Sequence, residues 1–436
     1  MCPVRRTKLI ILATGILLAV AAVLTFASSA AARRWMTSPH RVAATTTAES
    51  GSRPTQESSP KPSTSPSQVT SVSAAIGLRP GAVSPSAAGI AAAEAVLPKL
   101  TPLQLAGQRV IYSYPGLTPP RQLLWLISHG QAAGVIFFTE NVGTTAHLRA
   151  VVRELNLADA SRSNPVHLPL LLMTDQEGGI VRRLPGAPRL SAKQVGLATH
   201  PWAAATDAGN GAGANLRGVG LNVNLAPVLD VYRKPGNFID QYGRSFSNSA
   251  VKVAKLGSLY AAAEQRRGVA ATVKHFPGLG AAATSQNTDL RPVTLRLPLS
   301  SIRSVDELPY KSAVAGRTKL VMLSWAIYPA LDRSRPAGLS ARIVQGELRQ
   351  RLGFAGVTIT DALEAGALRP FGSIGHRATL AAGAGMDLLL CGVRDYHEGY
   401  DAMRALAYAY QHGALNARSF KAAAERVIAL RATLPR

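Results

Sequence analysis

Thr272-Val273-Lys274-His275-Phe276-Pro277-Gly278-Leu279-Gly280 is the stretch from which the fold of this chain is read. The apolar run at 269–273 reads as a buried strand that ends in a Lys-His pair. Pro277, Gly278 and Gly280 then forbid regular structure. Two polar side chains therefore stand where a strand stops and a loop begins, the place where parallel α/β folds hold their ligands. Taken alone, the stretch also fits a snorkelling lysine, a satisfied core histidine and a plain turn, so its neighbours decide.

Working outward, seven more short apolar runs lie at 109–112, 134–138, 170–174, 221–226, 320–324, 357–360 and 386–391, most of them with room for a helix in between. Continuous rather than alternating apolar strands point to a parallel sheet covered on both faces. Eight of them within residues 92–436 predict a (β/α)8 barrel. An open doubly wound sheet is the alternative, but no Gly-x-Gly-x-x-Gly turn follows the first strand. Gly209-Asn210-Gly211-Ala212-Gly213 falls in a helix-patterned region instead.

The strand ends carry the chemistry. Asp175-Gln176-Glu177-Gly178-Gly179 with Arg182 and Arg183 follows the third run. Asp230 and then Gly243-Arg244-Ser245-Phe246 follow the fourth, Ser324-Trp325 closes the sixth, and Thr360-Asp361 closes the seventh. Polar and charged groups thus converge on one rim. For single residues a plainer reading stands beside this one: Asp230 as a loop cap, Arg182 as a solvated charge, Asp175 as a helix N-cap.

Residues upstream of the barrel read differently. Arg5, Arg6 and Lys8 precede an uncharged apolar run at 9–26 and then Ala27-Ser28-Ser29-Ala30-Ala31-Ala32. This is the order of a secretory signal, and the run is also near the roughly 20 residues that span a bilayer. Residues 1–36 are therefore expected to be a signal peptide or a signal anchor. The bulk of the chain is expected outside the cytoplasm, secreted or anchored to the outer face of the membrane. Cys2 lies before the apolar run, out of place for a lipid-modified cysteine that follows a signal. Residues 37–91, rich in Ser, Thr, Pro and Ala, cannot bury enough apolar area to offset their ordering entropy and read as a tether. Cys2 and Cys391 are the only cysteines, so no disulfide is expected, and Cys391 reads as a small core hydrophobe.

The net charge of +24 would attract anionic envelope polymers or lipid head groups, or it is dispersed surface charge from a bias toward arginine. No arginine cluster interleaves with aromatics, and aromatic residues make up 6% of the chain, which argues against nucleic acid. Membrane contact is expected only through the N-terminal segment, and the domain is expected to be a monomer.

The combination of Asp175-Gln176-Glu177-Gly178-Gly179 with Arg183, Gly243-Arg244-Ser245-Phe246, Lys274-His275-Phe276-Pro277-Gly278-Leu279-Gly280 and Gly353-Phe354-Ala355-Gly356-Val357-Thr358-Ile359-Thr360-Asp361 resembles glycoside hydrolase family 3. The chain looks most like the single-domain bacterial β-N-acetylhexosaminidases, from about Leu97 to its end. The resemblance implies an N-acetylglucosamine-containing glycan as substrate and a retaining mechanism in which Asp361 is the nucleophile. It implies that Asp175 accepts hydrogen bonds from sugar hydroxyls, while Arg183, Arg244, Lys274 and His275 donate to hydroxyls and the acetamido oxygen. Nothing has metal-ligand spacing and no cofactor motif occurs, so no cofactor is expected.

Two departures from the family's pattern bear on catalysis. Its hexosaminidases carry an Asp-x-His dyad on the loop after the Lys-His strand. Here that loop reads Ala281-Ala282-Ala283-Thr284-Ser285-Gln286-Asn287-Thr288-Asp289-Leu290-Arg291, without a histidine. Asp289, its only acid, becomes the candidate acid/base if burial or a neighbouring carboxylate raises its pKa, unless Asn287-Thr288-Asp289 is only a polar turn. Trp325 stands where the family usually has a histidine or small polar residue, and it is expected to offer a stacking face to a sugar. Two further readings follow: a catalytically impaired member that serves as an envelope glycan-binding module, and a binder of anionic polymers through charge alone.

Overall fold

The computed structural model describes residues 86–435. The expectations for 1–36, and for the tether as far as residue 85, lie outside the described residues. A helix, Ala87–Val96, spans the expected boundary at residue 92. Ser86 caps it by accepting from the Gly89 N–H at 3.1 Å. Gly89 lies against the last helix, Ala417–Arg431, and a Cβ on it would come within 2.7 Å of the Ala429 carbonyl oxygen.

Each of the eight expected runs overlaps a strand of one closed barrel: β1 Val110–Tyr112, β2 Gly134–Ile136, β3 Leu171–Thr174, β4 Val223–Asn224, β5 Ala270–Phe276, β6 Leu320–Leu323, β7 Val357–Ala362 and β8 Leu388–Leu390. Each pairs in parallel with the next in sequence, and Ile111 against Leu390 closes the circle. Most strands are shorter than their apolar runs, because flanking residues complete the burial without extending the ladder.

The absence of alternation in the sequence has a direct cause. Ile111, Met173, Val223, Met322 and Ile359 fill the barrel interior. Val110, Tyr112, Leu172, Val321 and Leu323, their neighbours on the same strands, pack outward beneath the helices. Below the cavity end both faces of the strands are dry, so both sets are apolar. The Gly209–Gly213 run lies in the helix Pro201–Val219, where its role is packing: a Cβ on Gly209 would meet the Tyr260 carbonyl oxygen of the helix Ala250–Arg266 at 2.2 Å.

Candidate active site

A cavity of about 380 Å³ opens at the C-terminal ends of the strands, within the range of small-ligand clefts. Asp175, Arg183, Arg244, Lys274, His275, Asp289 and Asp361 all line it. Trp325, the eighth residue expected there, does not. Its ring is fully buried against Gly338, and its indole N–H donates to the Ala362 carbonyl at 2.8 Å. No face is free to stack on a sugar; the indole instead braces the residue that follows Asp361.

The floor of the cavity is an ion-pair network built on β5. The Lys274 ammonium lies 2.7 Å from Asp175 Oδ1 and 2.8 Å from Glu177 Oε1. Arg244 grips both oxygens of Glu177, at 2.9 and 2.7 Å. Burial works against the charge on Glu177, but the Arg244 guanidinium and then the Lys274 ammonium hold its carboxyl well below the usual range. Burial likewise opposes the Lys274 charge, and Asp175 and Glu177 more than offset it and raise its pKa. Arg183 stands 3.8 Å from Asp175, and its buried Nε finds no partner, which leaves a donor for a ligand.

His275 is oriented from behind. Asp230, fully buried, accepts from or shares a proton with His275 Nδ1 at 2.8 Å, and its other oxygen accepts from the Leu279 N–H at 2.7 Å. With Nδ1 committed, Nε2 is the ring nitrogen left for a ligand. The plainer reading of Asp230 thus describes half its work, since it caps the turn and also fixes a site histidine. Gly280 lets that turn lie close: a Cβ there would sit 1.9 Å from the Val231 carbonyl oxygen.

Asp361 is the penultimate residue of β7, and its Oδ1 accepts from the Ala362 N–H at 2.8 Å. Asp289 arrives from the loop after β5. The N–H of Gly366 donates to the Asp289 carbonyl at 2.8 Å, and that of Ala367 to the Thr288 carbonyl at 2.9 Å. These two bonds fasten the loop to the segment that follows Asp361. Asn287 Oδ1 accepts from the Asp289 N–H at 2.8 Å, so the polar turn is real as well. Asp289 remains solvent-exposed at the rim, yet the protein crowded around its carboxyl, and secondly the Asp361 charge, raise its pKa.

Glu177 lies within the Asp175-Gln176-Glu177-Gly178-Gly179 motif without being a candidate in its own right, although a polar residue two positions after Asp175 on an extended segment is a usable signal. Phe138, Thr288, Glu364 and Arg394 also line the cavity. Arg394 and Phe138 come from loops after β8 and β2 that carry no motif. Among the described residues no cluster of His, Cys, Asp and Glu suits a metal ion.

Comparison with known proteins agrees with this geometry. Residues 104–430 match the family model described as "Glycosyl hydrolase family 3 N terminal domain". An "Uncharacterized secreted glycosyl hydrolase" of Arthroderma benhamiae is 48% identical over 330 residues, which is 76% of this chain and 93% of that protein. "Beta-hexosaminidase A" of Pseudoalteromonas piscicida is 32% identical over 340 residues, which covers 73% of this chain and only 56% of that longer protein. Among solved structures, a glycoside hydrolase family 3 β-N-acetylglucosaminidase from Paenibacillus superposes with a TM-score of 0.71 at 33% identity, over 77% of this chain and 63% of that one. A β-N-acetylhexosaminidase from Beutenbergia cavernae gives 0.69 at 29% identity, over 76% of this chain and 98% of that one. A barrel matched along nearly its whole length, with relatives of this similarity, means that the chain belongs to glycosyl hydrolase family 3.

Proposed function

We propose that this protein is a retaining β-N-acetylhexosaminidase that removes terminal β-linked N-acetylglucosamine from cell-wall or related glycans outside the cytoplasm. The observation that carries the reading is the docking of the Asp289 loop onto the segment after Asp361, with both carboxyls lining one cavity. The hexosaminidase names of its relatives support the substrate, and the Arthroderma relative's description as secreted supports export.

In the first step Asp361 Oδ attacks the anomeric carbon, the C1–O bond breaks, and the leaving oxygen takes the proton of Asp289. In the second, ionised Asp289 takes a proton from water, which attacks C1 and frees Asp361. Asp175 accepts from sugar hydroxyls, while the spare Nε of Arg183, Arg244, the Lys274 ammonium and Nε2 of His275 donate. Because Lys274, Asp175, Glu177 and Arg244 already fix one another, these groups need little reordering when the sugar binds. The reading as an impaired glycan-binding module is not favoured, since both acids are kept in the cavity.

The test is turnover of an activated aryl N-acetyl-β-glucosaminide and of a natural β-linked fragment, with the anomeric configuration of the first-formed product read by NMR. A β product, with activity lost in Asp361→Asn, supports the mechanism. An α product, or an unchanged Asp361→Asn rate, refutes it. Saturable glycan binding without turnover of either substrate would restore the binding-module reading.

A further inference from the structure

One cation of the cavity stands apart from the others. Lys274, Arg244 and Arg183 all face Asp175 or Glu177 at the floor. Arg394 lines the same cavity from the loop after β8, yet its Nε lies 3.4 Å from Glu140, and both side chains are about half exposed, at 49% and 42%. Such a half-exposed pair contributes little and exchanges readily for a better anion.

The loop that presents Arg394 is held unusually firmly for so exposed a residue. The Gly392 N–H donates to Glu364 at 3.2 Å, the Val393 N–H to Glu398 at 3.0 Å, and the Arg394 N–H to Ser113 Oγ at 2.9 Å. Three successive backbone donors are therefore taken by side chains from three separate segments. Arg394 itself has a φ of 65°, a conformation that non-glycine residues adopt only where the surroundings impose it. Its guanidinium lies over the Phe138 ring, 4.4 Å from the centroid, which fixes the plane of the fork. A planar, preoriented guanidinium with a weak partner is built for a bidentate carboxylate.

Depth assigns the side of the bond. Lys274 is 2% exposed and Asp175 15%, at the closed end where a terminal sugar would lie. Arg394 stands at the open end, which an exo-acting pocket leaves to the departing group. We propose that Arg394, stacked on Phe138, forms a second subsite that selects a carboxylate on the group bonded to the terminal N-acetylglucosamine. This rests on the hexosaminidase reading above and names its preferred substrate class.

The test is a matched pair of aryl N-acetyl-β-glucosaminides of equal leaving-group acidity, one with a carboxylate on the ring and one with a carboxamide, beside their non-hydrolysable thioglycosides. The wild type should favour the carboxylate by about 10-fold, chiefly in KM and in thioglycoside Kd, as expected of hydrogen bonds to a charged partner. Arg394→Gln should bring the ratio to about one whatever it does to the absolute rates. Glu140→Gln, which removes the competing anion, should raise it. A wild-type ratio of one or less, or a ratio that survives Arg394→Gln, overturns the proposal. Absence of turnover of both substrates would refute the hexosaminidase reading, and the thioglycoside affinities would still decide the subsite.

Discussion

Asp289→Asn removes one ionisable oxygen from the site while keeping its shape. The bonds that dock the loop run through the backbone carbonyls of Thr288 and Asp289, so the substitution leaves them in place. What is lost is the proton, and general acid–base catalysis is worth about 10²–10⁴-fold. Cleavage of a natural fragment, whose alkoxide leaves poorly, should fall by that factor. An activated aryl glycoside needs no protonation, so its first step should be spared and its second slowed, giving a burst of aryl alcohol. Azide, which attacks the glycosyl-enzyme without a base, should restore turnover and yield the β-glycosyl azide. The wild-type rate should fall on the alkaline side as pH rises through the elevated pKa of Asp289, and that limb should vanish in the variant. Equal loss on both substrates with no azide product would refute Asp289 as the acid/base. Azide rescue in Glu364→Gln instead would move the role to Glu364, the cavity carboxyl whose pKa burial also raises.

Lys274→Met leaves Glu177 to Arg244 alone and Asp175 to the more distant Arg183, and should cost up to about 3–5 kcal/mol in denaturant unfolding, the range for breaking a buried pair. Glu177 has a depressed pKa, so its contribution is present above its ordinary pKa and lost as pH falls toward its folded value; Glu177→Gln should make acid unfolding shallower. Burial first, and Glu364 second, push the Glu398 carboxyl up to about 8 from 4.5, so the native state holds a proton the unfolded chain releases; stability should decline between those pH values, and less so in Glu398→Gln. Trp325→Phe leaves the Ala362 carbonyl without its indole donor and should lower stability by about 1–3 kcal/mol, seen as a fall in Tm. Its KM for an aryl N-acetylglucosaminide should stay close to wild type, because the ring lies outside the cavity; a large rise in KM would return Trp325 to the sugar.

Sequence sufficed for the barrel because parallel strands buried on both faces leave uninterrupted apolar runs, and each of the eight overlaps a strand. It sufficed to foresee that seven of the candidate residues would line one cavity, six of them marked by strand ends and motifs and Asp289 as the only acid of its loop. It failed at Trp325, since nothing in the order Ser324-Trp325-Ala326 says whether a side chain turns toward the cavity or away from it. In the fold it turns toward the Ala362 backbone. The first half of the helix Ala87–Val96 falls within the expected tether because its composition continues that of the tether; contact with the last helix distinguishes it. Arg394 was illegible for a similar reason. Its place depends on Ser113, Glu364 and Glu398, which are far apart in sequence and carry no shared motif.

The absence of a loop histidine is compatible with catalysis because the site separates its carboxyls by environment. Asp175 and Glu177 are held by Lys274, Arg183 and Arg244, so their charges are engaged at the floor. Asp361 accepts a backbone N–H, a contact suited to a carboxylate nucleophile. Asp289 is left with crowding first and the like charge of Asp361 second, which together raise its pKa against the opposing pull of His275 and Arg244. An aspartate with an ordinary pKa near 3.9 would be a poor acid at neutral pH. One fastened beside the nucleophile is made a better acid by the charge of the nucleophile itself. In the proposed mechanism, esterification of Asp361 would remove that charge, lower the pKa of Asp289 and favour the ionised form that accepts the proton of water. The two proposed steps call for opposite protonation states of one residue, and loss of the Asp361 charge, the second of the influences on Asp289, would act in the required direction.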